Sequence, residues 1–296
     1  MLFNLHTHTN FSDGTGEPQR YMEEAIRQGF SAIGFSDHSP VPFKNSFAIR
    51  EEELMNYAET IKKLKIQYAG GNPGKPTTDQ QINVFLGLEI DFIPGITRPV
   101  AEFRQQLGLD FTIGSVHLVR NSDPENLWFI DGPQVATYDQ GLNEVFGGDI
   151  RKGVTAYYRQ IQEMVALHKP AVIGHLDKIK MHNRDRFFTE EEPWYTALVD
   201  ETLGLVKESG CIVEVNTRGL YKKRSETLFP GPAILKKLLA MNIPVTVASD
   251  AHKPHELSLL FAETKAFLSG LGFRDLMNLT PSGWETVSLN SFLCSK

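Results

Sequence analysis

Six stretches of this 296-residue chain place metal-type ligands at or just past the downstream end of a short apolar run. His6 and His8 close LFNLHTH, Asp37 and His38 follow AIGFS, and Glu89 sits in VFLGLEID. His117 closes FTIGSVH, His175 closes AVIGH, and Asp250 and His252 follow VTVAS. Alternate side chains of a strand share a face, so His6 and His8 leave their strand together, as half of a metal site would. Singly, each histidine reads more readily as a satisfied structural or surface residue than as a ligand. Together they read differently, because converging so many unpaired polar groups without an ion is costly. Imidazoles and carboxylates without thiolates favour zinc, manganese or iron over copper(I) or an iron–sulfur cluster, and the histidine content argues against magnesium or calcium. The ligands, Asp13 included, are too many for one ion, so two or three divalent ions are expected, with Glu89 best placed to bridge. Two ions roughly 3.5–4 Å apart activate a shared water and clamp both oxygens of a displacement, an arrangement that phosphoester hydrolysis rewards most.

Such convergence needs a scaffold that brings strand ends together. The chain alternates short β-rich runs with amphipathic helical stretches. Pro18 and Gly29 bracket a helix from about 17 to 28, and EEELMNYAETIKKLKIQ reads as a long polar helix. NVFLGLEID, FTIGSV, AVIGH, CIVEVN and VTVAS read as strands; PVAEFRQQLG, RKGVTAYYRQIQEMVALH, 193–208, 232–240 and HELSLLFAETKAFLSG read as helices. That makes seven β/α units. Strands apolar on both faces and followed by helices imply a parallel sheet covered by helices. An open doubly wound sheet gathers its site at one switch point, whereas barrel strand ends all face one mouth. Because nearly every unit supplies a ligand, the expected fold is an α/β (β/α)7 TIM-like barrel in a single domain spanning 1–296. The segment 69–81 is the expected flexible excursion, either a lid or a disordered loop.

Composition narrows the function classes. The chain is 41% hydrophobic and 22% charged, enough for a large core. A net charge of -6 argues against general binding to nucleic-acid backbones. Neither Cys211 nor Cys294 sits in a paired motif; Cys211 reads as a buried structural thiol and Cys294 as part of a frayed end. Without a cysteine framework, signal peptide or bilayer-length apolar stretch, a cytoplasmic protein with no membrane partner is expected. The oligomeric state is left open.

The motifs HTHTNFSDG, SDHS, GLEIDF, IGSVH, IGHLD, EVNT and SDAH, in this order, resemble the PHP (polymerase and histidinol phosphatase) superfamily. Within it the chain is similar to the monofunctional histidinol-phosphate phosphatase branch, through GLEIDFIPG, GSVH continuing into WFID, and GHLD. The resemblance implies a distorted (β/α)7 barrel and three metals: one held by His6, His8, Glu89 and Asp250, a second by Glu89, His117 and His175, a third by Asp13, His38 and His252. It implies a hydroxide bridging the metals that attacks phosphorus, releasing an alcohol and phosphate. The expected substrate is a small phosphorylated metabolite, L-histidinol phosphate first. Nucleotides, nucleic-acid ends or phosphotyrosine are the alternative substrates, and a noncatalytic metal-stabilised scaffold is the alternative of another class.

Cations for the phosphate are expected among Lys178, Arg184, Arg218, Lys222 and Lys223, and Asn216 is expected to line the pocket. The chain reads NTRGLYKK, with Arg218 early and Tyr221 where the branch commonly carries an arginine. Asp177 is a candidate acid for the leaving group. Asp37 and Asp91 are candidates to orient a ligand, with a plain strand-end cap the alternative for Asp37. Trp128, Phe129 and Asp131 form either a substrate lid or a loop folded back on the barrel. His168 reads as a helix C-terminal residue, and His182 and His255 as solvated.

Overall fold

The computed structural model describes residues 2–289 apart from 70–80, 122, 124 and 125. The expected excursion at 69–81 lies, but for its two end residues, outside that description, as does Cys294. The eight strands of the parallel sheets are β1 (Leu2–Asn4), β2 (Phe30–Phe35), β3 (Asn83–Leu86), β4 (Glu89–Asp91), β5 (Ile113–Ser115), β8 (Val172–Ile173), β9 (Ile212–Asn216) and β10 (Val245–Ala248). Two antiparallel hairpins accompany them: β6 (Leu118–Arg120) with β7 (Leu127–Phe129), and β11 (Asp275–Thr280) with β12 (Gly283–Ser288). The helices are α1 (Pro18–Gln28), α2 (Leu54–Tyr68), α3 (Val100–Leu107), α4 (Val135–Phe146), α5 (Ile150–His168), α6 (Pro193–Ser209), α7 (Arg218–Tyr221), α8 (Pro232–Ala240) and α9 (Phe261–Leu271). Helix α1 runs between its expected punctuation, with Pro18 in the first turn and Gly29 ending it at φ 76°.

The parallel strands form two sheets, ordered β1-β2-β3 and β10-β9-β8-β5-β4. The run 83–91, expected as one strand, is two: β3 pairs with β2, and β4 pairs with β5. The break falls at Gly87, where a Cβ would lie 2.4 Å from the Phe111 ring. Only a residue without a side chain lets that ring pass. Isolated parallel bridges, Thr7 to Ala251 and His38 to Glu89, tie the downstream ends of the two sheets together. Alternate faces feed two apolar clusters, as at β3, where Val84 and Leu86 enter one and Phe85 the other. Among the described residues no helix is long and apolar enough to cross a membrane.

Helix α4 and both hairpins were not anticipated. In β7 Trp128, and just after it Ile130, turn into the core while Phe129 turns away from it. Trp128 donates its indole N–H to the Tyr138 carbonyl at 2.8 Å and packs against that ring. The second hairpin had a readable signal, two alternating runs around Pro281, Ser282 and Gly283.

Candidate metal centre

The β1 and β10 ends are laced together by two backbone bonds: the His8 N–H donates to the Ala251 carbonyl at 2.8 Å, and the Ala251 N–H to the His6 carbonyl at 3.1 Å. This register sets His6 and His8 against Asp250, whose backbone takes the left-handed conformation at φ 52°. Left-handed backbone costs energy for a residue with a side chain and persists where neighbours enforce it. Here Arg218 and the Tyr221 hydroxyl donate to the Asp250 carbonyl, at 2.7 and 3.2 Å, and Tyr221 also reaches the Ser249 carbonyl at 2.9 Å. Tyr221 therefore braces the bend, and the cation beside it is Arg218.

Among the described residues four donor groups form around these ends, each with its atoms within 4.8 Å of one another: His6, His8 and Asp250; Glu89, His117 and His175; His8, Asp13, His38 and His252; and His38, Asp91 and His117. Glu89 links the first two. Its Oε2 lies 3.1 and 3.3 Å from Nε2 of His6 and His8, and its Oε1 lies 3.1 and 3.7 Å from Nε2 of His175 and His117. His8 Nε2 is 3.3 Å from Asp250 Oδ1. Asp13 Oδ1 lies 3.0 Å from His252 Nε2, 3.8 Å from His38 Nε2 and 3.9 Å from His8 Nδ1.

His6, His8 and His175 are fully buried, yet Nε2 of His6 and both ring nitrogens of His8 have no well-aligned hydrogen-bond partner. Buried polar atoms are rarely left so. Burial, with His252 and His38 alongside, holds the His8 imidazole down to about 3, neutral and with its lone pair available. Burial alone would also lower His6, but Glu214, Glu89 and Asp250 hold it well above its ordinary value. Despite burial, the surrounding imidazoles keep Glu89 and Asp250 well below the usual carboxylate range. Orphaned imidazole nitrogens facing ionised carboxylates fit divalent ions of the zinc, manganese and iron kind.

Two carboxylates aim these rings from behind. Asp91 holds two imidazoles, with Oδ2 2.9 Å from His38 Nδ1 and Oδ1 2.6 Å from His117 Nδ1. Glu214 Oε1 sits 2.5 Å from His6 Nδ1, and its Oε2 accepts the backbone N–H of His175 at 2.9 Å. Fixing Nδ1 turns Nε2 to the centre, as outer-shell carboxylates do in metal sites. Glu214 was missed; its signal was the alternation of Glu214 with Asn216 in EVNT, two polar side chains on one face of a buried strand.

A cleft of about 180 Å³ opens onto the donors, lined among others by Phe47, Phe129, Asp131, Lys178, Arg218 and Arg224. Lys178 is 4% exposed, its ammonium 3.2 Å from Asp131. Asp131 would be raised by burial, but Lys178, His117 and His175 hold it down to about 2.

Several expectations are corrected. Asp177 is fully buried away from the cleft, 2.7 Å from Lys180 and accepting the Gly231 N–H at 2.9 Å, so no leaving group reaches it. Asp37 clasps the loop after β1, accepting from the Thr9 N–H at 2.7 Å and the Ser12 hydroxyl at 2.6 Å, and orients no imidazole. Burial raises it to about 6. Asn216 is buried beneath the cleft, donating to Glu214 at 3.0 Å and Asp250 at 3.3 Å, and does not line it. Arg184 is exposed outside the cleft, where Arg224 stands instead. Lys222 is turned into an ion pair with Glu256, and Lys223 is exposed. His182 is buried rather than solvated, with Nε2 2.7 Å from the Gly132 carbonyl. His255 is exposed, and His168 ends α5 with its ring against Phe92. Cys211 is buried.

An α/β protein whose parallel strands deliver nitrogen and oxygen donors to one cleft at their downstream ends is of the metal-site class. More particularly, the chain belongs to the PHP domain family, whose model matches residues 4–218. It is 28% identical over 277 residues to a Deinococcus radiodurans protein named "Probable histidinol-phosphatase", covering 92% of this chain and 95% of that one. It is 26% identical over 279 residues to the histidinol-phosphatase of Bacillus subtilis, covering 89% and 97%. A Lactococcus lactis histidinol phosphate phosphatase, solved with zinc, L-histidinol and phosphate, superposes with a TM-score of 0.65 at 19% identity, covering 96% and 98%. At that identity the likeness shows the fold.

Proposed function

We propose that this protein is a metal-dependent phosphomonoesterase that converts L-histidinol phosphate to L-histidinol and phosphate. One observation carries the reading: buried imidazole nitrogens without hydrogen-bond partners face ionised carboxylates in the cleft that also presents Lys178, Arg218 and Arg224. Similarity to proteins named histidinol-phosphatase supplies the substrate. His6, His8, Glu89 and Asp250 would hold one ion, Glu89, His117 and His175 a second, and Asp13, His38 and His252 a third. Divalent ions bound there supply Lewis acidity toward the phosphoryl oxygens and lower the pKa of water.

The chain's own residues do the rest. Lys178, Arg218 and Arg224 bind the phosphate dianion through charge-assisted hydrogen bonds. Asp131 fixes the Lys178 ammonium, and Asp250, through its carbonyl, fixes Arg218. Asp91 and Glu214 hold the rings of His38, His117 and His6 by Nδ1, so that Nε2 is turned toward the centre. We also read the bridges at Thr7 and His38 as closing the two sheets into a seven-unit barrel, in one domain and in a cytoplasmic protein.

The test is phosphate release by protein loaded separately with zinc, manganese or iron. The panel is L-histidinol phosphate, nucleoside monophosphates and phosphotyrosine. Release from L-histidinol phosphate should dominate and vanish on chelation and in His117→Ala. Metal-loaded protein inert toward every phosphomonoester refutes the reading.

A further inference from the structure

The cations and metal-type donors account for the phosphate end of a substrate, but not for the two phenyl rings in the same cleft. Phe47 and Phe129 line it, half-buried, and belong to neither apolar cluster of the core. Their rings are nearly parallel, at 13°, with centroids 6.5 Å apart. They come from unrelated segments, and each is held in place. The Asn45 side-chain carbonyl accepts the Phe47 and Ala48 N–H groups at 3.0 and 2.8 Å, a local turn that fixes the backbone carrying Phe47. The Phe47 ring meets the His38 ring edge-on, with centroids 5.5 Å apart. Phe129 sits at the end of β7, where strand alternation sends Trp128 and Ile130 into the core and leaves Phe129 facing the other way. Its ring lies over Gly132, where a Cβ would come within 3.1 Å of it. The Gly132 carbonyl is in turn held by His182 at 2.7 Å.

Two positioned, nearly parallel aromatic rings beside a phosphate-binding site suit a flat, weakly polar ring, through apolar burial and stacking. A phosphate or a short aliphatic alcohol gains nothing from them. We propose that Phe47 and Phe129 are the specificity-determining pair of this site: the planar ring of the substrate's leaving group docks against them, so that ring-bearing phosphomonoesters are selected over aliphatic ones. This rests on the phosphomonoesterase reading above and deepens it. His182 is a positioning residue for the Phe129 side.

The test compares L-histidinol phosphate with 2-aminopropyl phosphate, which keeps the amine and the phosphate but lacks the ring. Metal-loaded wild type, Phe47→Ala, Phe129→Ala, Phe47→Tyr and Phe129→Tyr are assayed for kcat/KM on both esters. Each alanine should cut the ratio of the two kcat/KM values by about tenfold, the scale of one lost aromatic contact, and each tyrosine, which keeps the ring, should restore it. Phe47→Leu and Phe129→Leu, which retain apolar volume, carry the comparison if an alanine variant does not fold. Equal losses on both esters would mean that the rings only cover the donors, and would overturn the proposal. So would a wild type that does not distinguish the esters. No phosphate release from any phosphomonoester would mark failure of the underlying reading, and the proposal would fall with it.

Discussion

Asp91 is the point at which a change of one atom tests the metal reading most sharply. Its two oxygens serve two imidazoles, His38 Nδ1 at 2.9 Å and His117 Nδ1 at 2.6 Å, and beyond the group they share with Asp91 the rings enter separate donor groups, His38 with Asp13 and His252, His117 with Glu89 and His175. Asp91→Asn keeps the shape but replaces one acceptor with an NH₂ donor. Whichever ring meets that amide must offer an Nδ1 lone pair, which moves its proton to Nε2 and removes that nitrogen as a ligand. The lost charge-assisted hydrogen bond is worth about 1.5–3 kcal/mol, and outer-shell carboxylates in metal sites typically contribute about 10–100-fold in metal affinity or activity. The two scales agree, since about 1.4 kcal/mol is tenfold. The assay is metal content by mass spectrometry after dialysis against graded chelator, alongside kcat/KM for phosphate release. Asp91→Asn should lose one ion at a chelator strength the wild type withstands, with kcat/KM down about 10–100-fold. Wild-type metal retention with kcat/KM within about twofold would refute the argument that Asp91 sets the tautomers.

The remaining predictions concern residues whose roles the fold reassigned. Asp177→Ala leaves the buried Lys180 with only Glu190 as a counter-ion, so chemical denaturation should show a loss of about 3–5 kcal/mol, while kcat of the folded fraction stays near wild type; a selective collapse of kcat would restore Asp177 as the acid. Asp37→Ala strands the Thr9 N–H and should destabilise by about 1–3 kcal/mol, whereas Asp37→Asn keeps an acceptor oxygen and should retain more stability, as thermal melts would show. Arg224→Ala should raise KM for the phosphate ester about tenfold or more, as loss of a charged hydrogen bond implies. Arg184→Ala should leave KM within about twofold, as expected of an exposed substitution away from the site. Equal KM shifts in both would show that the cleft geometry is misread.

Strand-end position and residue type made much of the centre legible. His6, His8, Glu89, His117, His175 and Asp250 could be picked out because each follows an apolar run too short for a helix, and a parallel strand must deliver its end residue to the shared rim. Helix α1 was legible for a local reason too, since proline and glycine act within one turn. Less local features were not. Glu214 lies inside a strand motif whose polar alternation is visible, but its role exists only because β9 stands next to β8 and across from His6.

The cationic side chains show the limit most clearly. Lys178, Arg184, Arg218, Lys222 and Arg224 all lie in the segments that follow β8 and β9, and their residue types do not separate them. Only the packed structure does so, by giving Lys222 to Glu256 and sending Arg184 to solvent while Lys178, Arg218 and Arg224 face the cleft. Asp177 and Asp37 were misread for the same reason: a carboxylate after a strand is as useful to a loop backbone or a buried lysine as to a reaction. What the sequence by itself determined was the donor inventory, its delivery to strand ends and hence a metal-centred chemistry. Which carboxylates face that centre, which brace it from behind and which are consumed elsewhere was decided by tertiary packing, because a long or flexible side chain takes its partner from whatever the fold brings within about 3 Å of its end.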